Sequence, residues 1–220
     1  MATNTVLAAE TAELKTPKDK VSYAIGMEMA NSLKKNGIDV TPDVLVKAIK
    51  DVLTDQKTQI TNEEAGAILT GLQEEMKGKR QESMKVLGEK NKTEGAAFLA
   101  ENMKKEGVKS LPSGLQYKVI TEGKGKSPSA TDTVTVQYTG KLVDGTEFDS
   151  SYKRGQAATF AVNGVIKGWT EALQLMKEGS KWQLYLPSNL AYGETGTAGG
   201  PIGPNATLIF DVELVSLQSK

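Results

Sequence analysis

Histidine and cysteine are both absent from the 220 residues. A chain without them cannot assemble a Ser-His-Asp triad, a cysteine nucleophile, a zinc finger or a haem ligand. Its chemistry must come from carboxylates, Lys, Ser or Tyr, or from a reaction that needs no nucleophile. The lack of cysteine suits any redox compartment and selects none. Neither sign of charge is in excess: 27 basic side chains balance 27 acidic ones. That leaves no basic field for nucleic acid and no acidic solvating tail. No run approaches the roughly 18 apolar residues of a membrane-spanning helix. The start, Met1 to Leu14, lacks the charged region and long apolar core of a signal peptide. It reads as the mature end of an exported protein with an added Met, or as a natural disordered cytosolic tail.

Aromatics are scarce and unevenly placed. Of the twelve Phe, Trp and Tyr residues, only Tyr23 and Phe98 precede Gly114. Aromatics favour strands and supply large core area, so the split predicts two regions of different character.

The first region reads as helix. Val21, Ile25, Met29 and Leu33 recur every four residues and share one helical face. Lys34, Lys35 and Gly37 suit its C-terminal end. Thr41-Pro42 predicts a second N-terminus, with Leu45, Ile49 and Val52 or Leu53 as the stripe. Thr61-Asn62-Glu63-Glu64 matches a capping box. The helix it opens meets no proline over residues 61–107. Its apolar residues thin out through Gly78–Glu94, the pattern of a solvated bridge. Gly88 and Gly95 are expected bending points, each weakening the helix by up to ~1 kcal/mol. The two short helices give about 45 residues a small core, marginal for independence. Homodimerisation through residues 18–75 is the expected remedy; the alternative is that these apolar residues pack only within one chain.

The second region switches to period two. Val134, Val136 and Tyr138 alternate with polar residues. So do Trp182, Leu184 and Leu186, set against Lys181, Gln183 and Tyr185, and likewise Leu208, Phe210, Val212 and Leu214. Such alternation predicts strands with one buried face. Asp144-Gly145 signals a hairpin. One helix interrupts the strands, with Trp169, Leu173 and Met176 on one face and Gly179 as its expected stop. The fold class is α+β: an antiparallel sheet wrapped over a single short helix. The expected domains are a flexible tail over 1–17, a helical dimerisation domain over 18–60, a long connecting helix over 61–107 and the α+β domain over 108–220.

Candidate chemical motifs compete with plainer readings. Gly123-Lys124-Gly125 and Ala198-Gly199-Gly200-Pro201 lack the spacing of a phosphate loop and read as turns. Asp144, Glu147 and Asp149 could pair for general acid–base work, but a solvated hairpin edge is the plainer reading. Ser150-Ser151 has no histidine base, and a Ser–Lys pair with Lys153 has no supporting context.

Five blocks stand out together. Tyr138-Thr139-Gly140 is followed by Asp144-Gly145-Thr146-Glu147-Phe148-Asp149-Ser150-Ser151. Then come Val165-Ile166-Lys167-Gly168-Trp169, Leu190-Ala191-Tyr192-Gly193 and Ala206-Thr207-Leu208-Ile209-Phe210-Asp211. Their order and spacing resemble the FKBP-type peptidyl-prolyl isomerases over about residues 112–219. Tyr23-Ala24-Ile25-Gly26-Met27, Gly37-Ile38-Asp39-Val40-Thr41-Pro42 and Gly199–Asn205 resemble the Mip (macrophage infectivity potentiator) subgroup and its FkpA-like relatives.

The resemblance implies a V-shaped homodimer of intertwined N-terminal helices, long connecting helices and one isomerase domain on each arm. It implies a pocket with Trp169 as floor under the substrate prolyl ring. Tyr138, Phe148, Val165, Ile166 and Phe210 would be its walls, and Ile202 a ligand contact from the following loop. Tyr192 would offer its hydroxyl to a substrate carbonyl. Asp149 would lie beside the twisting amide, with Arg154 close enough to pair with it. No cofactor or metal is implied. The partners implied are proline-containing unfolded or partly folded proteins, and macrolides such as rapamycin or tacrolimus. A bacterial envelope location fits better than the cytoplasm. A dimeric holdase chaperone, with isomerase activity secondary, is the competing reading. Two departures bear on substrate preference and macrolide affinity. Ala158 stands where many small FKBPs carry an aromatic, and the loop from Tyr192 to Phe210 lacks a histidine and is one residue longer.

Overall fold

The computed structural model describes residues 14–218. Of the expected tail over 1–17, residues 1–13 lie outside the described residues, and Pro17 already opens the first helix. The chain divides into two compact units between Thr70 and Gly71.

The first unit is helical. Helix α1 (Pro17–Lys35) carries a capping box that sequence reading passed over. Thr16 Oγ1 accepts from the Asp19 amide at 3.1 Å, and the Asp19 carboxylate accepts from the Thr16 amide at 2.8 Å. Lys34 and Lys35 occupy its last turn, and Gly37 follows in the left-handed region at φ 65°. Helix α2 (Pro42–Leu53) has Pro at its first position, but its N-cap Thr41 makes no side-chain capping bond. Helix α3 (Asn62–Asn102) begins in this unit on the expected box, with Glu64 and Thr61 bonded reciprocally.

No residue of α1 is buried. In α2 the buried residue is Asp51, paired with Lys47 at 2.8 Å. Val21, Ile25, Met29, Ile49, Val52 and Leu53 all stand exposed. Leu33 and Leu45 of the same stripes are half-buried, so among the described residues two short helices cover only part of the apolar surface.

The second unit holds the rest of α3 and an antiparallel sheet. Its strands are β1 (Val108–Ser110), β2 (Gln116–Thr121), β3 (Thr133–Leu142), β4 (Glu147–Ser150), β5 (Ala158–Ala161), β6 (Lys181–Leu186) and β7 (Leu208–Gln218). They lie in the order β1-β2-β6-β7-β3-β4, with β5 also on β3. The period-two residues Val134, Val136, Leu184, Leu186, Leu208, Val212 and Leu214 are fully buried. They close on Trp169, Ala172, Leu173 and Met176 of helix α4 (Lys167–Leu175) and its cap. Burying each such side chain is worth about 1.5–3 kcal/mol, which sets the helix firmly on the sheet. Gly168 permits the approach: a Cβ there would sit 2.5 Å from Leu186 Cδ2. Helix α4 ends at Leu175, four residues before the expected Gly179. Its cap, Met176, turns into an extended conformation to bury its own side chain, and Gly179 serves the turn into β6 at φ 86°.

Helix α3 departs from expectation in its second half. It is not a bridge solvated to its end. Met84, Gly88, Asn91, Gly95, Phe98 and Asn102, spaced at three or four residues, form a stripe that is buried or half-buried. Gly88 and Gly95 mark close contact within one unbroken helix: a Cβ on Gly95 would sit 2.3 Å from Thr207 Oγ1, and one on Gly88 3.2 Å from Pro204 Cβ. Phe98 lies 6.0 Å from the ring of Tyr185, which is buried rather than outward-facing as its place in β6 predicted. The helix stops at Asn102, not Gly107. There Gln116 Nε2 captures the Leu99 carbonyl at 2.9 Å, and Asn102 Nδ2 donates to Gln116 Oε1 at 3.0 Å. The same carbonyl also accepts from the Met103 amide at 3.1 Å, so Gln116 fastens a last turn that is already closed.

Candidate functional site

A cavity of about 470 Å³ opens where α4, β3, β4, β5, β7 and the loop after β6 converge. The floor is Trp169, in the first turn of α4 and 4 % exposed. Three rings stand nearly perpendicular to its indole: Tyr138 at 5.1 Å, Phe210 at 5.2 Å and Phe160 at 6.0 Å. Phe148 meets Phe210 edge-on at 5.6 Å. Edge-to-face contacts of this kind are favourable beyond area burial and hold the rings rigid. Gly140 makes the wall possible, because a Cβ there would lie 2.6 Å from the Phe148 ring and 2.8 Å from that of Phe210. This gives a physical reason for the glycine in Tyr138-Thr139-Gly140.

Val165 and Ile166 line the side between a short 3-10 turn (Val162–Gly164) and α4. The Ile166 carbonyl accepts from the amides of Trp169 and Thr170 at 2.9 and 3.0 Å. Thr170 Oγ1 in turn donates to the Val162 carbonyl at 2.8 Å, fixing the turn. Tyr192 stands on the loop after a second 3-10 turn (Ser188–Leu190), 40 % exposed.

Asp149 is the one carboxylate of the lining. It comes from β4, whose pairing with β3 sets it opposite Gly140. The Tyr138 hydroxyl donates to its Oδ2 at 2.5 Å, Arg154 forms an ion pair with its Oδ1, and Arg154 Nη2 donates to the Tyr138 hydroxyl at 2.9 Å. The guanidinium also lies over the Tyr138 ring at 5.4 Å. Burial pushes the Asp149 carboxyl up, but the bonds from Tyr138 and Arg154 and the charge of Arg154 outweigh it, so the group is held below the usual carboxylate range. Burial raises Tyr138, and its bond to Asp149 raises it further. The carboxylate thus stays ionised and the phenol neutral across the neutral pH range.

The paired-carboxylate reading finds no pair. Glu147 is bound to Lys153 at 2.9 Å, and Asp144 accepts from the Thr146 amide at 2.9 Å in its own turn. Ser151 is a buried strut: its hydroxyl accepts from the Tyr138 amide at 2.8 Å. Among the described residues no cluster of three or more acidic side chains could hold a metal ion.

The structure brings together Tyr138, Phe148, Asp149, Val165, Ile166, Trp169, Tyr192 and Phe210 around the cavity. Arg154 stands outside the lining, behind Asp149 and Tyr138. Ile202, expected to touch ligand, is not among the lining residues; it is 4 % exposed and packs with the core, with its carbonyl accepting from the Thr197 amide at 2.9 Å. The tight turn that Thr197 closes draws it inward. Phe160 and Gly164 line the cavity without having been singled out. Phe160 lay two residues beyond Ala158, on the same face of β5, and was the signal available.

The comparisons with known proteins agree with this geometry. The family described as FKBP-type peptidyl-prolyl cis-trans isomerase matches residues 124–215, and the domain amino terminal to that isomerase matches residues 18–119. The Outer membrane protein MIP of Legionella longbeachae is 48% identical over 99% of this chain and 94% of its own length. The peptidyl-prolyl cis-trans isomerase Mip of Coxiella burnetii is 46% identical over 94% of this chain and 90% of its own. The crystal structure of FkpA from Escherichia coli superposes with a TM-score of 0.71 at 39% identity, covering 93% of this chain and 98% of that one. The chain belongs to the FKBP-type peptidyl-prolyl cis-trans isomerase family, with Mip and FkpA among its relatives.

Proposed function

We propose that the cavity accelerates rotation about X-Pro bonds in protein substrates by desolvation and positioning, without covalent chemistry. The observation that carries this is the lining itself. Interlocked aromatic rings line an apolar space over Trp169 with room for a prolyl ring, and its polar groups, Asp149, Tyr138 and Tyr192, form no nucleophile–base pair.

Amide resonance sets the rotation barrier at ~18–20 kcal/mol. The planar amide carries partial charge that water stabilises, and the twisted amide has lost it. An apolar pocket withdraws that water and so favours the twisted form. Uncatalysed isomerisation takes ~10–100 s. Turnover at ~10–1,000 per second needs a barrier lower by roughly 3–7 kcal/mol. In this reading Trp169 carries the prolyl ring, and Phe148, Phe160, Val165, Ile166 and Phe210 enclose it. Tyr192 holds a substrate carbonyl. Asp149 lies beside the amide, kept ionised and oriented by Arg154 and Tyr138. Ile202 supports the loop from behind.

A protease-coupled isomerisation assay on a short Xaa-Pro peptide tests this. Wild-type turnover is expected, inhibited by a macrolide such as rapamycin and cut by Asp149→Ala with Tyr192→Phe. Absence of wild-type turnover overturns the reading.

The exposed apolar faces of α1 and α2 support a second element. Residues 18–75 dimerise, residues 61–107 connect and 108–220 form the isomerase. Two pockets on one assembly raise the effective concentration for an unfolded client, which favours chaperone action beside isomerisation. A relative named Outer membrane protein MIP supports a bacterial envelope location. No helix among the described residues is long and apolar enough to cross a membrane. Cell fractionation checks the location.

A further inference from the structure

A single peptide group links the Tyr192 loop at one end and helix α3 at the other. The peptide joining Pro204 to Asn205 is bonded at both ends. Its carbonyl accepts from Asn91 Nδ2 at 2.7 Å, across 113 residues of sequence. Its N–H donates to the Gly193 carbonyl at 3.0 Å. Gly193 directly follows Tyr192.

Further contacts hold this peptide in place. Asn205 sits in the left-handed region at φ 54°, sparsely populated by residues other than glycine, and its side chain reaches the Gly88 carbonyl at 3.4 Å. On either side the helix approaches so closely that added Cβ atoms would collide. One on Gly203 would lie 3.0 Å from Leu87 Cδ2, and one on Gly95 2.3 Å from Thr207 Oγ1. Asparagine is a poor choice for a helix interior by propensity alone. Here its amide leaves the helix to satisfy a carbonyl of the loop.

We propose that Asn91 is a positioning residue for Tyr192. Through the Pro204–Asn205 peptide, the helix sets where the Gly193 carbonyl stands, and so where the Tyr192 hydroxyl meets substrate. A donor on the carbonyl of an amide also polarises its N–H, so the two bonds strengthen each other. The connecting helix thereby forms part of the catalytic unit. This rests on the reading of Tyr192 as the group that holds a substrate carbonyl.

The test is a double-mutant cycle in the full chain, read as kcat/KM on a short Xaa-Pro peptide and as a thermal midpoint. Asn91→Leu removes the donor and keeps the branched side-chain shape. It is expected to lower kcat/KM about three- to tenfold, the scale of one neutral hydrogen bond. In a Tyr192→Phe background the same change should cost less than about twofold, because coupled residues do not add. Asn91→Ala should repeat the pattern, and serves if the leucine variant folds poorly. Equal losses in both backgrounds overturn the relay. So does a lowered midpoint with unchanged kinetics, the signature of packing alone. A Tyr192→Phe single variant with wild-type turnover instead overturns the role of Tyr192 itself, and the relay with it.

Discussion

The two units use similar apolar residues to opposite ends. In the second, Leu173, Met176, Leu184 and Leu214 are fully buried among themselves. In the first, Val21, Ile25, Met27 and Val46 are more than half exposed. The difference lies in architecture rather than composition. A wrapped sheet encloses a helix on its own, whereas two short helices cannot enclose anything. One unit is complete as a single chain. The other presents a surface that a second copy can cover, and contiguous exposed apolar surface of this kind marks an interaction site.

The largest expected effect breaks the contrast from the core side. Leu173→Ala should cost about 2–5 kcal/mol of unfolding free energy in the second unit. Val21→Ala should leave that unit's denaturant midpoint unchanged, within about 0.5 kcal/mol. A loss at Val21 comparable to that at Leu173 would mean the units do not unfold separately. Next, Ile25→Glu with Met29→Glu should halve the mass seen by light scattering, while turnover on a short Xaa-Pro peptide stays within about twofold of wild type. Buried like charges at a shared surface oppose association. An unchanged mass would remove residues 18–75 as the dimerisation element, and retained suppression of client aggregation by the monomer would remove the need for two copies.

A smaller effect contrasts two glycines of α3. Gly95→Ala forces Thr207 to move and should cost about 1–3 kcal/mol. Gly78 has open space around its Cβ position, and Gly78→Ala should stabilise the helix by up to ~1 kcal/mol. Thermal midpoints moving the same way would contradict the docking of the helix. The smallest expected effect is none at all. With no histidine, an ionised Asp149 and a neutral Tyr138, kcat/KM should be flat from pH 6 to 8 within about twofold. A bell-shaped profile centred there would require a titrating group the pocket does not contain. The lowered value of Asp149 means that its bonds with Tyr138 and Arg154 contribute stability fully above the unfolded carboxylate range. That contribution is lost only as pH falls through the folded value.

Much of this was legible in the residues. Period-two alternation marked β3, β6 and β7 because one face of each is buried and the other is not. Thr61 and Glu64 announced the start of α3 because the reciprocal bond needs those side chains at that spacing. The blocks around Tyr138, Asp149, Trp169 and Tyr192 converged because each sits where a strand or turn delivers it to one end of α4. The docking of α3 was not legible. Its buried stripe is Met84, Gly88, Asn91, Gly95, Phe98 and Asn102, mostly small or polar, so a search for apolar periodicity reads it as solvated. Glycine there reports close approach, but in sequence it looks the same as flexibility. That Ile202 packs with the core was not legible either, because a motif gives order along the chain and not the direction in which a turn points. The end of α3 was not legible because Gln116, which bonds to its last turn, lies beyond the helix.

Both tryptophans lie in the second unit, in unlike surroundings. Trp169 faces the cavity, whereas Trp182 is stacked on Tyr117 at 4.4 Å. The protein thus carries a built-in optical probe of occupancy. In a Trp182→Phe variant, tryptophan emission would come from the floor of the pocket alone, reporting ligand entry without a label. The first unit, which holds no tryptophan, would be invisible to it.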